Sequence, residues 1–98
     1  MEIKVFWSEK AEKQLESIIQ YLESNWGTKS ASKFANSVFE FTVALTDFPE
    51  IGAVEQPTLK IRGFVVVKHI TIFYQIRKSK IIILNLYDNR QKPKKRRF

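Results

Sequence analysis

The chain contains no cysteine, one histidine, three glycines and three prolines in 98 residues. The lack of cysteine excludes a disulfide framework and thiolate-ligated zinc. A single histidine removes histidine-rich metal centres, so neither a metal nor a cofactor is expected. Few glycines and prolines, with 44% hydrophobic residues, speak for a folded domain and against a disordered one. The longest apolar runs, FVVV and IIIL, are far too short to span a bilayer. The first residues, MEIKVFWSEK, lack the charged-then-apolar layout of a signal peptide. A cytoplasmic protein with no membrane association is therefore expected. No glycine-rich phosphate loop, HExxH or GxSxG occurs, so the common nucleotide, zinc-hydrolase and serine-hydrolase chemistries have no sequence support.

Acidic residues run out halfway along the chain. Residues 1–55 carry five basic and nine acidic side chains, a balance of −4. Residues 56–98 carry twelve basic and one acidic, Asp88, a balance of +11 within a net charge of +7. Paired-carboxylate catalysis thus has nothing to build on in the second half. Such asymmetry points to a basic face for nucleic acid or an acidic partner. The plainer reading is a basic fringe that keeps a small protein soluble.

What is present reads as one domain, since a chain of this length does not split. IKVFW (3–7) has the β-branched and aromatic content of a strand. Ser8 stands where a helix N-cap belongs, and Glu9 and Glu12 follow in the first turn. Ala11, Leu15, Ile18, Ile19, Leu22 and Trp26 then recur at helical spacing. Gly27 can end that helix and Thr28 can cap the next, whose stripe is Ala31, Phe34, Ala35, Val38, Thr42 and Leu45, widened by Phe39, Phe41 and Phe48. Pro49 stops it. Residues 8–26 and 28–48 therefore form a helical hairpin with almost no linker, and 49–58 form a loop.

Beyond the loop the period changes to two, in LKIRGFVV, HITIFYQI and KIIILNLY. RKSK (77–80) reads as a hairpin turn. Gly63 marks a bulge or kink, and residues 66–68 hold the other turn. In the middle strand Ile70, Ile72, Tyr74 and Ile76 share one face, and Thr71, Phe73, Gln75 and Arg77 the other. The expected fold is α+β, β-αα-βββ, an antiparallel sheet with the helical hairpin on one face. Its second face is left partly open. Residues 1–90 make the domain, and 91–98 a basic tail expected to be mobile.

The candidate functional residues are the basic set of the second half: Lys60, Arg62, Lys68, His69, Arg77, Lys78, Lys80 and Arg90, then the tail. Arginine suits phosphate because its planar fork donates two parallel hydrogen bonds to one anion. Arg90, at a strand end, is held more rigidly than the tail lysines; its structural reading is an ion pair with Asp88. The structural reading of His69 is a half-buried residue near a strand turn. For Trp7, Trp26, Phe34 and Phe41 it is core packing.

Four stretches, WSEKAEKQLESIIQYLESNW, ASKFANSVFEFTVALTDFPEIG, IRGFVVVKHITIFYQI and IIILNLYDNRQKP, resemble the RelE/ParE toxin superfamily in order and spacing. The marks are Ala11, Leu15, Ile18 or Ile19, and Tyr21 on the first helix. Pro49 and Gly52 follow the second, Arg62 opens the first hairpin strand, Tyr74 lies in the next, and Arg90 follows the last. The resemblance implies the toxin of a bacterial type II toxin–antitoxin pair. Its cognate antitoxin would be acidic in its toxin-binding part and would cover the open sheet face within a hetero-oligomer.

The superfamily includes ribosome-dependent mRNA endonucleases, which use Lys and Arg on the open sheet face, and poisons of DNA gyrase. RelE-type nucleases carry an arginine three residues before the strand tyrosine, where this chain has Thr71, and a later tyrosine, where it has only Phe98. A second nuclease pattern ends in a His-Tyr pair absent from KKRRF. The long first helix and NWG turn resemble ParE more closely. The resemblance therefore implies a gyrase-directed toxin, with Arg62, Lys68, Arg90, Lys92, Lys94 and Lys95 binding the target. As a nuclease, the chain would use Arg90 on the phosphate, Arg62 as a clamp, and His69 or Lys68 to move protons. A third possibility is a non-toxic nucleic-acid-binding module, whose binding would fall steeply with salt.

Overall fold

The computed structural model describes residues 2–90, and the tail with Lys92, Lys94 and Lys95 lies outside the described residues. Along the chain run β1 (Lys4–Trp7), α1 (Glu9–Trp26), α2 (Thr28–Asp47), β2 (Ala53–Gln56), β3 (Ile61–Val67), β4 (Ile70–Arg77) and β5 (Lys80–Asp88). Ser8 joins β1 to α1 in the way its position suggests. Its Oγ accepts from the Ala11 amide at 3.1 Å, satisfying a donor the first helical turn leaves open. The same hydroxyl donates to the Leu84 carbonyl at 3.2 Å, and the Ser8 amide to the Ile83 carbonyl at 3.0 Å. One serine therefore caps α1 and ties its start to β5.

Gly27 alone separates the helices. Its φ of 94° and ψ of 171° fall in a region that essentially only glycine occupies. Gly27 is itself the N-cap residue of α2 and Thr28 is the first helical residue, with no side-chain cap hydrogen bond, so the capping role expected of Thr28 is not realised. The apolar stripes do meet the sheet. Phe34, Val38, Phe41 and Leu45 of α2 pack with Ala11 on Ile70, Ile72, Tyr74, Ile81, Ile83 and Leu86. Phe41 stacks on Phe64 with centroids 4.8 Å apart and meets the Tyr74 ring edge-on at 5.8 Å. Trp26, the last residue of α1, departs from its expected place in the core and is 70% exposed.

The fold is α+β with the helical hairpin on one face, as expected, but the sheet is mixed and has five strands. Its order is β1-β5-β4-β3-β2, with β1 parallel to β5 and the other pairs antiparallel. β1 enters beside β5 because the helical hairpin returns the chain to the far edge. Residues 53–56, expected as loop, form the edge strand β2, short and with a register shift between Val54 and Gln56, features that blunt an exposed edge. The 77–80 turn is as expected. The bulge expected at Gly63 lies instead between Val65 and Val67. The faces of β4 alternate as expected, but the second face is not bare: Phe73 is 1% and Thr71 8% exposed. Phe73 lies on Gly63, where a Cβ would come within 2.9 Å of the ring, so the glycine serves packing.

Candidate functional site

A cleft of about 880 Å³ opens between α1 and the far end of β4 and β5. Its floor is apolar, with Ile18 and Leu22 of α1, Phe34 of α2, and Ile70 and Leu86 of the sheet. Lys10, Lys13, Lys68, His69 and Arg90 also line it, and Asp88 is the acidic group among the lining residues. Three of the expected site residues, Lys68, His69 and Arg90, are therefore brought together. They converge because the β3–β4 turn and the end of β5 are adjacent: the Asn89 amide donates to the His69 carbonyl at 2.7 Å. Lys10 and Lys13 were not singled out from the sequence. With Gln14, Ser17 and Tyr21 they recur at helical spacing beside the apolar stripe, which is the signal that could have found them.

The cleft wall depends on Gln14. β1 ends at Trp7, so β5 has no strand partner on that side beyond Ile83. Gln14 substitutes for one. Its Oε1 accepts from the Leu86 amide at 2.8 Å, and its Nε2 donates to Asn85 Oδ1 at 2.7 Å. A lone amide side chain thereby satisfies a half-buried backbone donor and fixes the spacing of α1 from the sheet.

Arg90 is held by Asp88 through three hydrogen bonds. Nε donates to Oδ1 at 3.1 Å, Nη2 to Oδ2 at 2.8 Å, and the backbone amide to Oδ1 at 2.9 Å. The hydrogen bond from the guanidinium holds the Asp88 carboxyl below its ordinary value, against an opposing push from burial, and the same bond raises the Arg90 value. The Arg90 side chain is 62% exposed, so the pair orients the fork and leaves it accessible. The ion pair read from the sequence thus exists together with the accessible surface.

Arg62 stands apart from the cleft. Its Nη1 donates to the carbonyls of Gly52 (2.7 Å) and Glu50 (3.2 Å), and Nη2 lies 3.6 Å from the Glu50 carboxylate. Tyr74 works on the same corner from inside the core. Its hydroxyl donates to the Pro49 carbonyl at 2.8 Å and accepts from the Gly52 amide at 2.9 Å. Burial raises the Tyr74 value above 10.0, which keeps the donor protonated. Gly52 has no room for a side chain, since a Cβ would stand 2.8 Å from the Gly63 carbonyl oxygen. Pro49, Gly52, Arg62 and Tyr74, four of the marks of the resemblance, form one structural joint. Thr71, where a RelE-type nuclease has arginine, is buried, and its Oγ1 accepts from Asn89 Nδ2 at 2.8 Å.

Fold and cleft together define a small α+β domain with a cation-rimmed, apolar-floored groove. The ParE toxin family of type II toxin–antitoxin systems (parDE) matches residues 5–93, and the chain belongs to that family. Among solved structures it is similar to one described as the chromosomal ParDE TA system from P. aeruginosa. That likeness has 20% identity and a TM-score of 0.72 over 88% of this chain and 95% of that one. At this identity the likeness speaks for the fold alone. No curated protein sequence matches. Membership of a toxin–antitoxin family implies a cognate antitoxin. Among the described residues, no helix is long and apolar enough to cross a membrane.

Proposed function

We propose that this toxin arrests growth by binding DNA gyrase, with the cation-rimmed cleft and the basic tail as the contact surface. The observation that carries this reading is the convergence of Lys68 and Arg90 with Lys10 and Lys13 on one groove, in a chain of the ParE family. Arg90, oriented by Asp88, supplies the fixed contact. Lys68, Lys92, Lys94 and Lys95 supply attraction and on-rate. Arg62 contributes by holding the 49–52 corner, its donors being committed to backbone carbonyls. The antitoxin neutralises the protein with an acidic segment that orders on binding and covers these cations.

The test is antitoxin-free protein added to gyrase supercoiling and to cell-free translation in parallel. Blocked supercoiling with cleaved DNA and intact translation is the expected result. Translation blocked by cuts in ribosome-bound mRNA, with supercoiling untouched, overturns it. That outcome would favour the nuclease reading, in which His69 and Arg90, both lining the cleft, move a proton and hold the phosphate.

A further inference from the structure

Residues 39–51, on α2 and the corner after it, line no part of the cleft and form a surface of the reverse character. Phe39 and Val43, one turn apart on the outer face of α2, are 67% and 49% exposed. Phe48 (65%) and Ile51 (41%) continue the apolar strip onto the corner that follows. Four large apolar side chains in one run are more than the scattered singles that ordinary surfaces carry. Carboxylates accompany them: Glu40 and Asp47 lie three residues before and four residues after Val43, and Glu50 sits between Phe48 and Ile51, all three exposed. Lys29 and Lys33 lie at the far end of the same helix, and Arg62 offsets Glu50 alone, so Glu40 and Asp47 leave the corner end acidic.

This ridge does not depend on a flexible loop. The Ile51 amide closes the turn onto the Phe48 carbonyl at 3.1 Å, and the Tyr74 hydroxyl and Arg62 guanidinium fix the residues beside it from below. A held apolar strip loses little entropy when it is covered, which favours binding. Its acidic edge disfavours pairing with an identical ridge, because like charges would face each other across an isologous contact. The surface with the complementary character is the cleft of another copy: concave where the ridge projects, apolar-floored, and lined by Lys10, Lys13 and Lys68.

We infer that, without antitoxin, the 39–51 ridge of one toxin seats in the cation-rimmed cleft of the next, a head-to-tail contact that masks the cleft and that an acidic antitoxin segment displaces. Because the ridge and the cleft share no residue, a bound pair keeps one free cleft on one copy and one free ridge on the other, and association grows beyond a dimer or closes a ring. The inference rests on the cleft being a binding surface and not on the identity of the target. Failure of gyrase inhibition leaves it standing, and its own failure leaves the gyrase reading standing.

The test is sedimentation velocity on antitoxin-free full chain over a concentration series at low and high salt. Wild type is expected to grow in mass with concentration at low salt and to return to monomer at high salt. A ridge variant, Phe39→Ser with Phe48→Ser, and a cleft variant, Lys13→Glu with Lys68→Glu, are each expected to remain monomeric. All four positions are exposed, so both variants are expected to fold, and circular dichroism is the check on that. Mixed together, the variants retain one intact cleft and one intact ridge, and are expected to give a one-to-one dimer that grows no further. Three results overturn the inference: wild type monomeric at every concentration and salt, either variant associating like wild type, or a mixture that stays monomeric while wild type associates.

Discussion

Arg62 and Arg90 belong to the same family pattern and lie at opposite ends of the sheet, yet their surroundings give them different work. The Arg62 side chain is 23% exposed, and its donors end on the carbonyls of Glu50 and Gly52. Around it the Tyr74 hydroxyl, the Gly52 amide and the Pro49 carbonyl complete a joint whose parts satisfy one another. Arg90 is 62% exposed and is held by one carboxylate, with its outer edge free to meet an anion. Matching a motif position therefore does not say whether an arginine touches a partner. What decides is where its donors end: on the protein's own carbonyls, or on a single carboxylate at a groove.

The contrast can be broken most severely at Gly52. Gly52→Ala forces a Cβ against the Gly63 carbonyl and the Tyr74 hydroxyl, and a loss of about 3 kcal/mol is expected from the urea midpoint. Tyr74→Phe keeps the packing and removes both hydrogen bonds, leaving the Gly52 amide buried without its partner. About 2 kcal/mol is expected by the same measurement. The sharper comparison sets the arginines side by side. Arg62→Ala should lower the denaturation midpoint clearly, while Arg90→Ala should shift it only slightly and weaken target inhibition on the order of tenfold. A midpoint shift on Arg90→Ala as large as that on Arg62→Ala would erase the distinction.

The smallest effects are those of pH, and they fall at opposite ends of the scale. Tyr74 has a value raised above 10.0, so its neutral form is the one the fold favours. Its contribution is fully present below pH 10.0 and is lost as pH rises through the raised value, a loss absent in Tyr74→Phe. Asp88 has a value lowered from 3.8. Its contribution is present above pH 3.8 and is lost as pH falls through the lowered value, weakly because its partner Arg90 is exposed to solvent. Denaturation midpoints of wild type and Asp88→Asn followed through both limbs would check the two signs.

Much of this was legible in the chain. Helical spacing from Ala11 to Leu22 and from Ala31 to Leu45, and alternation in β4, located the helices and the buried face, because periodicity records which side meets the core. The mixed sheet was not legible. β1 pairs with β5 across more than seventy residues, and nothing local to IKVFW states which edge it will join. β2 was missed because AVEQ is mostly exposed and carries no alternation. Trp26 shares the helical spacing of the stripe and is nevertheless exposed, because spacing along a helix does not state how far the packing partner extends.

The site divides in the same way. The residue order alone determined an αα-hairpin followed by β-strands, a basic second half, and the ParE family to which the chain belongs. It also marked Lys68, His69 and Arg90 as candidates. Only the tertiary structure decided that these three share a groove with Lys10 and Lys13, and that Arg62 turns inward to hold the 49–52 corner. The reason is physical. Spacing along a chain reports the local geometry of one helix or strand, whereas a cleft is made where elements distant in sequence are packed together.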